Sequence, residues 1–195
     1  MRSTLSLFIL STGLAGCSFG DRSVALTYDR PLGEPKVPRG VVVLLERPED
    51  RRPGPAELLG EKRSGLGTKT AEILTDQDVI DWVHQALRLE FENAGFVIAP
   101  PGSRGPLLRV STEVREVSCE EGIGFGGTLR LTLRVRGGSR ILLEKTYVAR
   151  DHHVVITPTS GRGVEDSLRT CLKTLLMEFL GDLQKKLETV DPEGF

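Results

Sequence analysis

From Leu129 to Arg136 apolar and polar side chains alternate without a break: Leu129, Leu131, Leu133 and Val135 against Arg130, Thr132, Arg134 and Arg136. A period of two puts the leucines on one side of a pleated ribbon and the arginines on the other. Wound as a helix, the same residues would scatter their leucines around the cylinder. The segment is therefore a strand with one covered and one wet face, and the rest of the chain must supply the cover. Its neighbours follow the same rule. Leu108, Val110, Thr112 and Val114 alternate with Arg109, Ser111, Glu113 and Arg115. After Glu116 the phase slips, Val117 and Cys119 becoming the apolar positions, as a bulge would produce. Gly137-Gly138 reads as a hairpin turn, with a return strand over 140–149.

Two segments can provide the cover. Between Asp76 and Ala94, Val79, Ile80, Val83, Leu87, Phe91 and Ala94 recur at helical spacing, with Asp81, Gln85, Arg88 and Glu92 opposite. Thr75 or Asp76 is placed to cap this helix, and Gly95 to end it. From Val164 to Leu187 a second helix carries a broader apolar face, running from Leu168 and Cys171 through Phe179 to Leu183. Earlier, Ser23 to Tyr28 alternates as a strand, Val41 to Leu45 is a continuous apolar strand, and residues 31–38 and 47–55 are proline-punctuated connections. Residues 57–74, with Gly60, Gly65 and Gly67, read as a hairpin, and 96–98 as a brief strand. The expected fold is α+β: a two-layer α/β sandwich whose mixed, largely antiparallel sheet carries two amphipathic helices on one face.

Composition agrees with one folded domain. The 195 residues are 38% hydrophobic and 27% charged, and 26 basic against 27 acidic groups leave a formal charge of −1. That balance excludes a polybasic nucleic-acid protein. No apolar run reaches the ~18–20 residues of a spanning helix.

The first residues stand apart. Arg2 precedes a short apolar run, Leu5 to Leu14, and Leu14-Ala15-Gly16-Cys17 follows. This resembles the lipobox of bacterial lipoproteins, in which the cysteine thiol receives a diacylglyceryl group, the leader is removed before it, and the new amine often takes a further acyl chain such as palmitate. Ala15 and Gly16 are small enough for a narrow peptidase site, and only a thiol at Cys17 accepts a thioether-linked lipid. Ser18, rather than Asp, follows. The resemblance implies an envelope protein anchored in the outer membrane and facing the periplasm. The division read from the sequence is a signal peptide over 1–16, a lipidated tether over 17–22, one domain over 23–188 and a tail over 189–195.

The chain also resembles the YajG family of bacterial lipoproteins. The resemblance rests on the lipobox, Glu49-Asp50-Arg51-Arg52 after a strand, the Leu59-Gly60 pair, Thr75-Asp76-Gln77-Asp78-Val79 opening a helix, and Glu92-Asn93-Ala94-Gly95-Phe96 closing it. More distantly it is similar to LptE-like and transport-auxiliary lipoproteins, whose sandwiches bind a partner protein or lipid. These resemblances imply an address and a fold, and no catalytic residue.

Motifs for chemistry are sparse. Gly122-Ile123-Gly124-Phe125-Gly126-Gly127 has the glycines of a nucleotide fingerprint, but a strand follows where a helix is required, so it reads as a flexible connector. Asp151-His152-His153 places its histidines on opposite faces of an extended segment, with His84 as a distant third; no metal is expected there. Ser160, Ser167 and the Glu120-Glu121 pair lack the surroundings of a nucleophile or a tuned acid. No catalytic residue and no cofactor are expected. With Cys17 lipidated, Cys119 and Cys171 remain either as a disulfide or as two buried thiols. Arg109, Arg115, Arg130, Arg134 and Arg136 share the wet phase and form either a contact surface or a solvated face of exposed ion pairs. Two roles follow: an envelope adaptor for a partner protein, or a binder of lipid or anionic glycan through the sandwich groove or the arginine face.

Overall fold

The computed structural model describes residues 20–28, 40–105, 107–154 and 162–189. The leader, Cys17, the connection over 31–38, Ser160 and the tail beyond Thr189 lie outside the described residues.

Three long strands form the frame: β7 (Leu108–Glu121), β8 (Gly124–Gly137) and β9 (Arg140–Val154). They pair antiparallel in sequence order. Leu129, Leu131, Leu133 and Val135 are wholly buried, as their phase requires. The phase slip falls between Val114 and Glu116, one residue earlier than the sequence pattern placed it. Val114 and Val117 both face the core, so the intervening Arg115 and Glu116 are both left outside. At the β8–β9 turn Gly138 has φ +58°, at the first of two central residues, as a II′ hairpin demands.

The free side of β7 is shared by short parallel strands. β2 (Val42–Leu45) pairs with its beginning, β3 (Glu49–Asp50) with its middle and β4 (Leu58–Arg63) with its end. β5 (Lys69–Leu74) returns antiparallel from β4, and β1 (Arg22–Ser23) adds in parallel to β5. β6 (Val97–Ile98) lies parallel to β2. The sheet is thus mixed, with its long pairings antiparallel. Beyond Ser23 the expected strand leaves the ladder but keeps its alternation: Val24, Leu26 and Tyr28 are buried.

Helices α1 (Val79–Asn93) and α2 (Arg162–Thr189) cover the apolar face. The cap of α1 is Asp78, whose carboxylate accepts from Ile80 N at 2.7 Å, rather than Thr75 or Asp76 earlier in the chain. The helix ends with Gly95 at φ +94°, while Phe96 N donates to Phe91 O at 3.0 Å, a Schellman close. Every apolar position read for α1 is buried, together with Trp82 and the charged Glu90. Glu90 accepts a hydrogen bond from the buried Tyr28 hydroxyl, which fastens the N-terminal segment to the core. On α2, Leu168, Leu172, Leu176, Phe179 and Leu183 are fully buried against β8 and β9.

The glycine-rich run corrects the sequence reading. Gly124 to Gly127 are strand residues, not a connector. A Cβ on Gly127 would lie 3.1 Å from Ser167 Oγ, and one on Gly163 would strike the Phe125 ring at 2.5 Å. These glycines let α2 press its first turns directly onto β8.

Candidate functional site

The face of β7, β8 and β9 opposite the helices carries every arginine singled out from the sequence. Register decides their partners. Arg109 lies opposite Arg136, Ser111 opposite Arg134, Glu113 opposite Thr132, and Glu116 opposite Arg130. Across the next pairing, Arg134 meets Glu144, Thr132 meets Thr146, and Arg130 meets Val148.

Three of the five arginines are neutralised within the face. Arg134 Nη2 donates to Glu144 Oε1 at 2.7 Å, and Arg130 Nη2 lies 3.3 Å from Glu116 Oε2. Arg115, displaced by the bulge, pairs with Glu113 and donates through Nε to Thr132 Oγ1 at 3.2 Å. The hydrogen bond from Arg134 holds the Glu144 carboxyl below its ordinary range. Arg109 and Arg136 are different. They face each other across the strand pair, and no ion pair joins either to a carboxylate among the described residues. Like charges in direct cross-strand register repel, so this pair is the least neutralised position among the five arginines. A groove of about 290 Å³ lies over it, lined by Arg109, Arg136, Ser111, Arg134, Glu46 and Glu49.

A second groove, about 560 Å³, runs along the β4–β7 seam past Arg52, Gly60, Glu61, Ser118 and Arg130. Gly60 makes that seam possible: a Cβ there would lie 1.7 Å from Cys119 O. Arg52 closes one end. Its side chain is nearly buried, and it forks onto Asp50 through Nε–Oδ1 at 2.9 Å and Nη2–Oδ2 at 2.7 Å, with Ala56 O a third acceptor. The hydrogen bonds from Arg52 pull the Asp50 carboxyl below its usual value.

The remaining sequence candidates are dispersed. His153 lies against the Phe125 ring in a tilted arrangement and 2.8 Å from Asp151, whereas His152 sits beside Gly126. His84 is on α1, its pKa lowered chiefly by burial. Ser167 is buried and donates to Asp151 O, an anchoring role for the helix. Glu121 pairs with Arg22. Of the two readings for the cysteines, the structure has the second: Cys119 and Cys171 are free, buried thiols. Cys171 Sγ donates to Gly127 O at 3.3 Å, and Gly127 is the cross-strand neighbour of Cys119. Burial pushes the Cys119 thiol up to about 12 and the Cys171 thiol up to about 11, so both stay protonated at neutral pH.

Sequence reasoning missed Lys145. It points inward from the edge strand and bonds Glu178 at 2.8 Å and Asp182 at 2.9 Å, while Tyr147 donates to the same Asp182. An inward charge on an edge strand discourages edge-to-edge pairing. The apolar–Lys–Tyr pattern of 143–147 held that signal.

No protein-family model matches the chain, and no curated protein matches it in sequence. Solved structures do. The protein XCC0632 from Xanthomonas campestris, of the family-model DUF330, superposes with a TM-score of 0.58 at 11% identity, over 87% of this chain and 97% of that one. A putative neuraminyllactose-binding hemagglutinin homolog from Helicobacter pylori matches at 0.49 with 12% identity, over 84% and 97%. The lipoprotein GNA1162 from Neisseria meningitidis matches at 0.39 with 12% identity, over 74% and 98%. The first likeness shows that the chain shares the fold of XCC0632.

Proposed function

We propose that this protein is a lipid-anchored, non-catalytic adaptor of the bacterial envelope, held at the outer membrane through Cys17 and facing the periplasm. Its open sheet face meets an acidic segment of a partner protein. The observation that carries the reading is the opposed Arg109–Arg136 pair, neither of which forms an ion pair among the described residues, whereas Arg115, Arg130 and Arg134 on the same face are self-paired. Two planar guanidinium forks at one position suit a carboxylate better than any lysine pair would. The groove over the Arg109–Arg136 position is lined mainly by charged and polar groups, which favours a protein or other polar ligand over an acyl chain.

The test is in-membrane crosslinking of the lipidated chain, followed by identification of the captured species. Arg109→Ala combined with Arg136→Ala is expected to lower capture of one stoichiometric protein about tenfold, the equivalent of ~1.4 kcal/mol. Arg130→Ala with Arg134→Ala, which removes self-paired arginines, is expected to act more weakly. Capture of an anionic glycan or lipid instead of a protein supports the alternative use of the same arginines. Unchanged capture in folded Arg109/Arg136 variant refutes the role assigned to this face.

A further inference from the structure

The three most exposed large apolar side chains among the described residues are Leu66 at 95%, Val154 at 71% and Ile123 at 70%. They come from three separate parts of the chain, yet the topology brings them to one end of the sheet. β4 runs parallel to β7 with Lys62 opposite Glu121, so the β4–β5 turn carrying Leu66 and the β7–β8 turn carrying Ile123 project from the same end. A Cβ on Gly122 would lie 3.6 Å from Arg63 O, which places the two turns side by side. Gly124 pairs with Val154, which adds the end of β9.

The Leu66 turn is well built. Ser64 N donates to Thr68 O at 2.9 Å, Gly67 N to Ser64 O at 2.8 Å, and Leu66 N to Ser64 Oγ at 3.3 Å. A turn so braced could carry any polar residue at its tip; it carries a leucine that touches almost nothing. Charges nearby are largely neutralised: Lys69 pairs with Glu61 and Glu72, Arg63 with Glu61, and Arg22 with Glu121.

The N-terminal segment leads to this same end. β1 is parallel to β5, so the chain traced backwards from Ser23 heads toward the start of β5 and its turn. Glu72 N donates to Asp21 at 3.0 Å. Three residues, Ser18, Phe19 and Gly20, separate Asp21 from Cys17. Fully extended, that linker spans only about 14 Å. A lipid on Cys17 must hold this end of the sheet near the bilayer, and the opposite end, with β6 and the β8–β9 turn, away from it.

From this convergence we infer that the sheet end bearing Leu66, Ile123 and Val154 is a membrane-contacting tip, whose apolar side chains enter the lipid interface beside the anchor. The inference rests on the proposed lipidation of Cys17. It fixes the standing orientation of the domain, with the strands rising from the bilayer and the Arg109–Arg136 position, near the start of β7, at the far end.

The test uses the full lipidated protein in vesicles of phosphatidylethanolamine and phosphatidylglycerol, with and without brominated acyl chains. Leu66→Trp, Ile123→Trp and, as the far-end comparison, Val97→Trp each add one indole to the constant background of buried Trp82. The tip indoles are expected to be blue-shifted and to lose about half of their added emission to bromine, as befits side chains ~5–10 Å into the interfacial boundary. Val97→Trp should stay water-like and unquenched. Because the tip is self-neutralised, added salt should leave the quenching unchanged. Mass analysis of the same samples reads the state of Cys17. Acylated protein whose tip indoles remain water-like, or whose Val97→Trp is quenched equally, overturns the tip and leaves the anchor standing. Protein without acyl groups on Cys17 overturns both.

Discussion

Gly60→Ala removes no contact and adds one methyl group, yet it should be among the most damaging single changes in the chain. The added Cβ would sit 1.7 Å from Cys119 O, about half an ordinary contact distance, and the obstacle is backbone that cannot rotate away. β4 must therefore back off from β7 by roughly 1.7 Å, out of hydrogen-bond range. The pairing at stake covers Gly60–Cys119, Glu61–Glu120 and Lys62–Glu121. Losing two or three such bonds costs about 0.5–1.5 kcal/mol each. Residual overpacking adds about 1–3 kcal/mol. The expected loss is ~2–7 kcal/mol, a large part of the ~5–15 kcal/mol of a typical domain. Urea denaturation followed by circular dichroism measures it. Gly65→Ala is the control, because no non-neighbouring atom lies within 4 Å of its added methyl, and it should shift stability by less than about 0.5 kcal/mol. A loss under ~1 kcal/mol for Gly60→Ala would show that β4 is not seated against β7 as described.

Two further changes probe other parts of the account. Leu131→Ala, at the fully buried centre of β8, should cost about 2–5 kcal/mol in the same assay, whereas Thr132→Ala on the wet face should cost much less. Arg52→Ala should cost ~1.5–3 kcal/mol at pH 7 by breaking the fork onto Asp50, and Arg52→Lys should recover only part of it, because an ammonium cannot reproduce the fork. The Asp50 carboxyl is depressed in the folded state, so its contribution is full above the ordinary carboxylate pKa and is lost as pH falls through the lowered folded value. Stability curves of wild type and Arg52→Ala should therefore converge below about pH 4; curves that stay parallel to pH 2 would contradict the linkage.

Much of the frame was legible because long elements repeat their message. Eight residues of alternation from Leu129 settle the strand and its faces, and the Val114–Val117 spacing announces the bulge. What could not be read depends on partners remote in sequence. β1, β3 and β6 are two residues long, and nothing local says that they align beside β5, β7 and β2. The run Gly124–Gly127 carries one apolar side chain, so it offers no period; its strand character comes from β7 and β9 on either side. The five arginines were visible as a face. That two oppose each other while three find glutamates is a matter of register, which the bulge at Arg115 shifts by one residue. The tip cluster of Leu66, Ile123 and Val154 likewise exists only once β4 lies parallel to β7.

Both the proposed role and the orientation of the sheet rest on the domain being held at a membrane through Cys17. Mass spectrometry of the N-terminal peptide from membrane-purified protein tests this directly. The expected result is a chain that begins at Cys17 and carries a diacylglyceryl thioether, with a further acyl group on the new amine, and Cys17→Ser should abolish both the modification and the processing. A mature chain that begins elsewhere, or a Cys17 thiol recovered free, would contradict it.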